Sequence, residues 1–526
     1  MCVYEYSVMD INNLPDDKDT LKDIVADYHQ QLIYLQEKLN YLQKAIYGSK
    51  SDKKPKCGSK ETWPMMPGLV EMETEVETPQ EKTITIPEHS RKKRGRKPIP
   101  KDLPRKDIIH DLSGEEKICP CGVELSPIGQ EVSEKLDYIP ARLIVNRYIR
   151  LKYACKNCEG AEDDQGAVKI APMPEQLIPQ GIVTPGLMAH IITAKFVDGL
   201  PFYRQCKQLL RLGIDISRST MVSWAMHAAR VCEPFLDLFK KEIMLGFQVG
   251  IDETPVQVLD EPGRSNTSKS YMWVFLGGHP ENPTVLYDYH PTRSGLALDF
   301  LQDYQGYIQS DGYAVYNDLG DKPGIFHVGC LAHVRRKFMD VVKLSKKQKH
   351  KGGTAQEILN LIAKLYILEQ SFETRKLKPD RIQEERQEKS IPILNQIKTL
   401  LDERSKTTPD KSKLGTAINY ALNQWDRVVR YTLDGRLRPD NNLVENAIRP
   451  FALGRKNWLF AGHPNGAKAG AMYFSLVETA KKNGLEPYAY LRHLFENLPL
   501  AKTEQDLKAL MPQYIDPEVL PSPTAC

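Results

Sequence analysis

The chain has 526 residues, enough for three or four domains that each bury a core of their own. Its composition, 41% hydrophobic and 27% charged, is ordinary for a soluble protein, and no apolar run approaches the roughly 18 residues that span a bilayer. The first residues lack the basic and apolar segments of a secretory signal, so we expect reducing cytoplasm and no membrane partner. The net charge of +4 is small, but basic residues cluster early in the chain, which favours nucleic acid as a partner.

Residues 1–50 contain a heptad pattern. Two interleaved ladders of apolar residues repeat every seven positions: Val25, Leu32, Leu39 and Ile46, and Leu21, Tyr28, Leu35 and Leu42. The pattern predicts a short coiled coil that pairs with a second copy of the chain. The alternative is a helix that packs within its own chain.

Residues 51–107 lose this periodicity, become rich in Pro, Glu and Lys, and are predicted to be a disordered linker. The linker ends in the basic run "RKKRGRKPIPKDLPRK", in which nine of sixteen residues are Lys or Arg. An extended segment with Arg94, Arg96 and Lys97 can lie in a DNA minor groove. A solvated basic linker is the alternative.

Residues 108–170 hold two close cysteine pairs, Cys119 with Cys121 and Cys155 with Cys158, separated by strand-like sequence such as "RLIVNRYIRLKYA". Four clustered thiols in a reducing compartment predict a structural zinc site with a closed four-sulfur shell. The single residue within the first pair is unusual, and unliganded thiols are the alternative.

Residues 171–245 are predicted to be helical. The stretch "FYRQCKQLLRLGIDISRSTMVSWAMHAA" has the form of a helix-turn-helix, with a first helix ending at Gly213 and Ser217 or Ser219 capping the second. Arg218, Ser219 and Ser223 would then face the major groove of DNA. A helical hairpin within a larger domain is the alternative.

After about residue 245 the pattern changes to strands, in a domain predicted to span 246–480. "FQVGIDETPVQVL", "YMWVFLGG" and "TVLYDY" predict three strands, followed by a helix in "SGLALDFLQDY". A fourth strand ending at Asp311, a short helix and a fifth strand in "GIFHVGC" complete the order of a ribonuclease-H-like α/β fold.

In such a fold the first and fourth strands are neighbours, which would bring Asp252 and Asp311 together. Two carboxylates at short range are best explained by a cation between them, and hard oxygen ligands suit Mg²⁺ or Mn²⁺. Taken singly, each aspartate is also explained by a turn, in "DET" and in "SDG".

The interval between Asp311 and Glu445 is too long for a loop. Its helical spacing predicts a helical insertion at about 340–430. Before it, "GCLAHVRRKF" offers Cys330 and His333 as weak metal-ligand candidates, and Arg335, Arg336 and Lys337 as groups that approach phosphate.

The segment "NNLVENAIRPFALGRKNWLF" predicts an amphipathic helix with Leu443, Val444, Ala447, Ile448 and Phe451 facing the core. Asn442, Glu445 and Arg449 form a polar stripe beside that apolar face. Asn442 and Glu445 also have the spacing of a capping box, and Pro450 is expected to bend or end the helix.

Together these motifs resemble the insertion-sequence-66 family of bacterial transposases over nearly the whole chain. The resemblance is carried by the heptad helix with "YGSKSDKK", "KRGRKPIP", the cysteine pairs, "GIDETPVQVL", "SDGYAVYN", "CLAHVRRKF" and "NNLVENAIRPFALGRKNWLFAG". A segment with "LVETAKKNGLEPYAYLRHLFENLP" leads into a C-terminal helical part and tail, 481–526. The Cys-Pro-Cys pair departs from the usual zinc knuckle.

The resemblance implies an Asp-Asp-Glu triad of Asp252, Asp311 and Glu445 that binds two Mg²⁺ or Mn²⁺ ions and cuts and joins double-stranded DNA. Arg449, Arg455 and Lys456 would hold phosphates. The implied setting is the bacterial nucleoid, with a homo-oligomer formed through the coiled coil and, in some relatives, element-encoded accessory proteins.

Two other functions fit parts of the sequence. A non-catalytic repressor or bridging protein of the element needs only the basic segment, the cysteine module and the helical region. A nuclease outside transposition would cut DNA without joining it.

Overall fold

A computed structural model describes residues 143–154, 168–347 and 353–520. Every described residue belongs to one compact unit, Lys97–Cys526. The predicted coiled coil and basic segment, with Arg94, Arg96 and Lys97, lie outside the described residues, as do Cys119, Cys121, Cys155 and Cys158.

The first described elements are two short strands, β1 (Lys152–Ala154) and β2 (Val168–Ile170), which pair antiparallel. The strand predicted from residue 142 is therefore much shorter than expected. Residues 143–151 are exposed and form no ladder, so their alternating apolar side chains have no sheet face to cover.

Four helices precede the main sheet: α1 (Pro185–Phe196), α2 (Phe202–Arg211), α3 (Arg218–Val231) and α4 (Phe235–Met244). The helix pair predicted around Gly213 is present as α2 and α3. Ser217 caps α3, because its hydroxyl oxygen accepts the backbone N–H of Thr220.

The main sheet has five strands: β3 (Gln248–Gln257), β4 (Lys269–His279), β5 (Asn282–His290), β6 (Gly306–Gln309) and β7 (Ile325–Val328). Their order across the sheet is β5-β4-β3-β6-β7. The first three strands are antiparallel, whereas β6 lies parallel to both β3 and β7. The predicted neighbourhood of the first and fourth strands is thus confirmed.

Two short elements link the last strands. The helix predicted in "SGLALDFLQDY" is a 3-10 helix, Gly295–Leu301, and α5 (Val315–Gly320) connects β6 to β7. At seven residues this 3-10 helix is longer than most, which rarely exceed about four residues.

A group of helices follows β7: α6 (Leu331–Lys347), α7 (Thr354–Thr374), α8 (Pro379–Glu385), a π-helical turn (Arg386–Ser390), α9 (Ile391–Ser405) and α10 (Lys413–Val429). Their buried apolar residues form a cluster separate from that of the sheet. This helical group begins a few residues earlier than the predicted insertion, because α6 starts directly after β7.

The chain then returns to the sheet through α11 (Asn442–Trp458), α12 (Pro464–Lys482), α13 (Pro487–Asn497) and α14 (Glu504–Ala509). On the buried face of α12, the hydroxyls of Ser475 and Thr479 accept backbone N–H groups of Tyr287 and Val285 on β5. These contacts fix the C-terminal helices to the sheet that carries the two aspartates. In the part of the chain that the structure describes, no helix is long and apolar enough to cross a bilayer.

Candidate active site

Asp252 lies in the middle of β3, paired with Val274 of β4. β3 continues to Gln257, so the alternative that Asp252 starts a turn is wrong. Its Oδ1 accepts the backbone N–H of Glu253 at 2.9 Å, and the carboxyl group is mostly enclosed by protein. A central strand therefore holds this carboxylate on rigid backbone.

Asp311 follows β6, which ends at Gln309 and not at Asp311 as predicted. Gln309 lies beside Gly250 in the parallel β3–β6 ladder, so Asp311 emerges from the sheet next to the strand that carries Asp252. Its Oδ1 accepts the N–H of Tyr313 at 2.9 Å, as in an Asx turn. Asp311 therefore lies in a turn directly after β6, beside β3.

Glu445 lies in the first turn of α11. The capping box predicted from Asn442 and Glu445 is wrong, because the N-cap residue is Asn441 and Asn442 is already helical. The Asn441 side chain instead donates to the backbone oxygen of Ile251 on β3, at 3.1 Å. Asn441 therefore ties the start of the helix to the strand that carries Asp252.

Close packing of α11 on β3 depends on Gly250. A Cβ atom at Gly250 would lie 3.3 Å from the Cβ of Val444 and 3.6 Å from Oδ1 of Asn441. Because Gly250 has no side chain, the first turn of α11, which carries Glu445, can approach the strand closely.

One other prediction for α11 is wrong: Leu443 is 44% exposed, because the packed stripe is formed by Val444, Ala447, Ile448 and Phe451. Pro450 does not end the helix, which continues to Trp458. Asn446, whose carbonyl loses its i+4 donor at Pro450, is exposed, so water can satisfy it.

The three carboxylates act on one another electrostatically. Burial raises the pKa of Asp252 well above its usual range, and the negative charges of Glu253, Glu445 and Asp311 raise it further. A cation among these groups would relieve the repulsion, and carboxylate oxygens are the ligands that Mg²⁺ and Mn²⁺ prefer. The residues present therefore fit a divalent metal.

Glu445 has unusual neighbours. Its Oε1 lies 3.7 Å from Nδ1 of His333 and its Oε2 lies 3.8 Å from a guanidinium nitrogen of Arg336, so neither contact is a hydrogen bond. Both Oε1 and the His333 Nδ1 are buried without a hydrogen-bond partner. Burial, together with the charge of Arg336, lowers the pKa of His333 and favours a neutral imidazole.

Cys330 completes this neighbourhood. The ligand atoms of Cys330, His333 and Glu445 all lie within 4.8 Å of one another, and within the described ranges no other three such side chains do so. The ligand atoms of Asp252, Asp311 and Glu445 are thus spaced more widely than those of this group. Cys330 and His333 were weak candidates in the sequence, because their nearness to Glu445 depends on the fold.

Sequence reasoning missed Glu253. Its side chain is almost fully buried and is bound by the Arg293 guanidinium, with Nε at 2.6 Å, and by the Tyr316 hydroxyl. Burial raises the pKa of Glu253, while the bonds from Tyr316 and Arg293 lower it. Only the acidic doublet "DE" hinted at this residue.

The residues predicted to contact DNA are exposed to solvent to different degrees. Arg218, Ser219 and Ser223 are exposed on α3, in keeping with a helix that presents this face outward. Arg335 and Lys337 are exposed on α6, where Lys337 lies over the ring of Tyr420. On α11, Arg449 and Lys456 are exposed and Arg455 is half-buried.

Family models match four parts of the chain. The description "Transposase IS66 family" covers residues 180–469, and "zinc-finger binding domain of transposase IS66" covers 116–159. "IS66 C-terminal element" covers 475–513, and "Transposase C of IS166 homeodomain" covers 34–108. These families imply DNA as the partner, use of a divalent metal, and zinc in the cysteine module.

The chain is also similar to three uncharacterized proteins of Sinorhizobium fredii. It is 32% identical to y4jD over 95% of this chain and 96% of that protein. It is 33% identical to y4qI, over 81% and 80% of the two chains, and 26% identical to y4hP, over 88% and 85%. Because one family model covers more than half of the chain and y4jD matches nearly end to end, this protein belongs to the insertion-sequence-66 family of transposases.

Proposed function

We propose that the protein binds the ends of an insertion sequence and catalyses metal-dependent DNA cleavage and strand transfer, with Asp252, Asp311 and Glu445 as the catalytic carboxylates. The observation that carries the proposal is their origin in three adjoining elements: β3, the end of its parallel neighbour β6, and the helix α11 packed on β3. The strand order β5-β4-β3-β6-β7 and the helices between β7 and α11 support a ribonuclease-H-like core with a helical insertion before the glutamate.

Asp252, Asp311 and Glu445 would together hold two Mg²⁺ or Mn²⁺ ions. Such ions stabilise negative charge on the attacking and leaving oxygens of a phosphodiester. The strand that carries Asp252 and the tie from Asn441 to Ile251 keep the ligands in place before DNA arrives. Arg335, Arg336, Arg449, Arg455 and Lys456 would hold the phosphates.

Two phosphoryl transfers then account for the activity. Water first opens the phosphodiester at the element end and releases a 3′ hydroxyl. That hydroxyl attacks a phosphodiester of target DNA in the same site, and its oxygen replaces the leaving 3′ oxygen of the target. Each step breaks one P–O bond and forms another, so neither step requires a nucleotide cofactor.

DNA recognition is assigned to other parts of the chain. The exposed face of α3, with Arg218 and Ser219, suits a major groove, and the basic segment at Arg94, Arg96 and Lys97 suits a minor groove. Zinc on Cys119, Cys121, Cys155 and Cys158 would stabilise the intervening module. The heptad helix would pair two copies of the chain, with accessory proteins of the element as further partners.

The test uses full-length protein, duplex DNA carrying the element end, and Mg²⁺ or Mn²⁺. We expect nicking and joining by the natural protein, and loss of both in Asp252→Asn. Asp260→Asn is the matched control, since Asp260 is an exposed aspartate a few residues further along the chain. Equal activity of Asp252→Asn would refute the assignment of Asp252, and cutting without joining would indicate a nuclease. Specific binding without cleavage under any metal condition would favour the repressor or bridging protein.

A further inference from the structure

The strongest unexplained feature is the group formed by Cys330, His333 and Glu445. Cys330 directly precedes α6 and His333 lies in its first turn, so the two side chains share one face of the helix start. Glu445 reaches the same point from the first turn of α11. Three potential ligand atoms within 4.8 Å of one another form a compact site.

Two of the polar atoms in this group have no hydrogen-bond partner within the protein. Nδ1 of His333 and Oε1 of Glu445 are both buried, both lack a hydrogen-bond partner, and lie 3.7 Å apart. Two ligands of one tetrahedral ion, with bonds of about 2.0–2.2 Å, are separated by a similar distance. Unpaired buried polar atoms are costly, and a shared ion would satisfy both.

The sulfur is held in the orientation that a ligand needs. Sγ of Cys330 accepts the backbone N–H of Asn441 at 3.3 Å, and it also accepts the N–H of His333. Hydrogen bonds from backbone amides fix the position of a ligand sulfur. Burial raises the pKa of the Cys330 thiol to about 12 and these two bonds lower it, so the sulfur would lose its proton only when an ion binds. Arg336 is the opposing feature, but it faces the other carboxylate oxygen, and its side chain is 41% exposed and able to turn outward.

We propose that Cys330, His333 and Glu445 bind one zinc-class divalent ion, distinct from the zinc of the cysteine module. A thiolate with an imidazole selects a softer ion than Mg²⁺, and three protein ligands leave a fourth position open to water or a DNA phosphate. The second part of the proposal rests on the proposed function: zinc in this site occupies Glu445 and thereby inhibits Mg²⁺-dependent cleavage.

Zinc content of the DNA-free, full-length protein tests the site without any assay of activity. After equilibration with a zinc buffer, the natural protein is expected to retain one zinc more per chain than His333→Gln or Cys330→Ser. Cobalt in place of zinc should likewise give sulfur-to-cobalt absorption that weakens in Cys330→Ser. Cys206→Ser and His227→Gln are matched controls, since both residues are half-buried on other helices. Equal metal content in all these proteins would overturn the proposal.

Two variants guard against a folding defect, because Cys330 is buried whereas His333 is partly accessible. Circular dichroism of His333→Gln establishes that the loss of zinc occurs in folded protein. Unchanged zinc content in a folded His333→Gln would refute the site even if Cys330→Ser fails to fold.

Inhibition is measured by adding increasing zinc to the cleavage assay, and each protein is compared with its own zinc-free rate. We expect His333→Gln to need about tenfold or more zinc than the natural protein for half-maximal inhibition. An equal zinc requirement would refute the inhibitory role. Loss of one zinc in the variants, with no cleavage by the natural protein in Mg²⁺, would refute the proposed function and leave the zinc site standing.

Discussion

Two glutamates, both near Asp252, are treated by the fold in opposite ways. Glu253 is enclosed by partners: Arg293 binds it with Nε at 2.6 Å, Tyr316 donates its hydroxyl, and Arg293 in turn stacks over the ring of Tyr313 at 3.8 Å. Glu445 is also mostly buried, yet the basic side chains beside it, the His333 imidazole and the Arg336 guanidinium, stay 3.7 and 3.8 Å away.

This difference in hydrogen-bond partners distinguishes a structural carboxylate, Glu253, from one that is free to bind a metal, Glu445. A satisfied ion pair such as that of Glu253 has no ligand atoms left to offer, so it stabilises the junction of β3 with α5. Glu445 keeps an unpaired oxygen, at a cost in stability that functional sites commonly carry. The comparison can be tested because the two residues respond differently to the same substitution.

The largest effect is expected for Glu445→Gln. Loss of a metal-ligand charge should lower the cleavage rate by about 100-fold or more. Its free energy of unfolding should stay the same or rise, because removing the charge also reduces repulsion with Asp252. Cleavage assays in Mg²⁺ and thermal unfolding of the metal-free protein measure the two quantities. A destabilised Glu445→Gln with undiminished cleavage would reverse the roles assigned here.

Glu253→Gln should show the opposite pattern in stability. The substitution leaves Arg293 without its carboxylate partner and removes charge-assisted bonds, so we expect the free energy of unfolding to fall by about 1–3 kcal/mol. Denaturant unfolding measures the change. A variant as stable as the natural protein would show that the pair contributes nothing, and Glu253 would then become a candidate metal ligand.

Two histidines, the buried His327 and the partly accessible His333, extend the comparison. Unlike His333, His327 has a partner, since its Nε2 lies 2.8 Å from the Ser310 hydroxyl. Burial, with the charges of Arg427 and Arg430, lowers the pKa of His327 from 6.5 to about 3. Between these values the unfolded chain binds more protons, so stability falls as pH drops from about 6.5 toward 3.

His327→Gln should therefore make unfolding less sensitive to acid. The natural protein should lose up to about 1.4 kcal/mol more per pH unit than the variant in that window. Urea unfolding at several pH values measures the slopes, and His227→Gln provides a matched control. Identical slopes for His327→Gln and the natural protein would show that His327 does not stay neutral in the fold.

The sheet was predictable from sequence because each strand has a recognisable local composition. Runs of β-branched and aromatic residues located all five strands, and their order along the chain gave the pairing of β3 with β6. Local pattern did not locate the end of β6, because the turn at Asp311 directly follows the strand and the same residues suit either conformation. It also could not distinguish Asn441 from Asn442 as the helix start.

The neighbourhood of Glu445 was beyond sequence reasoning for another reason. Cys330 and His333 precede Glu445 by more than a hundred residues, and the rest of α6 and the helices α7 to α10 lie between them in the chain. The short distances among these three side chains depend on how the starts of α6 and α11 come together in the fold, a property of tertiary packing that no local spacing encodes. The pairing of Glu253 with Arg293 was hidden in the same way.

The smallest effect on stability is expected for Arg336→Ala. Its guanidinium lies 3.8 Å from Glu445 and the side chain is 41% exposed, so the loss should be no more than about 0.5 kcal/mol. Arg293→Ala is the matched variant and should lose about 1–3 kcal/mol, because it leaves Glu253 buried without its partner. If Arg336 serves phosphate, Arg336→Ala should instead weaken DNA binding and reduce its salt dependence by about one ion. Equal destabilisation by both substitutions would mean that Glu445 is held by an ion pair after all, and the distinction between the two glutamates would fail.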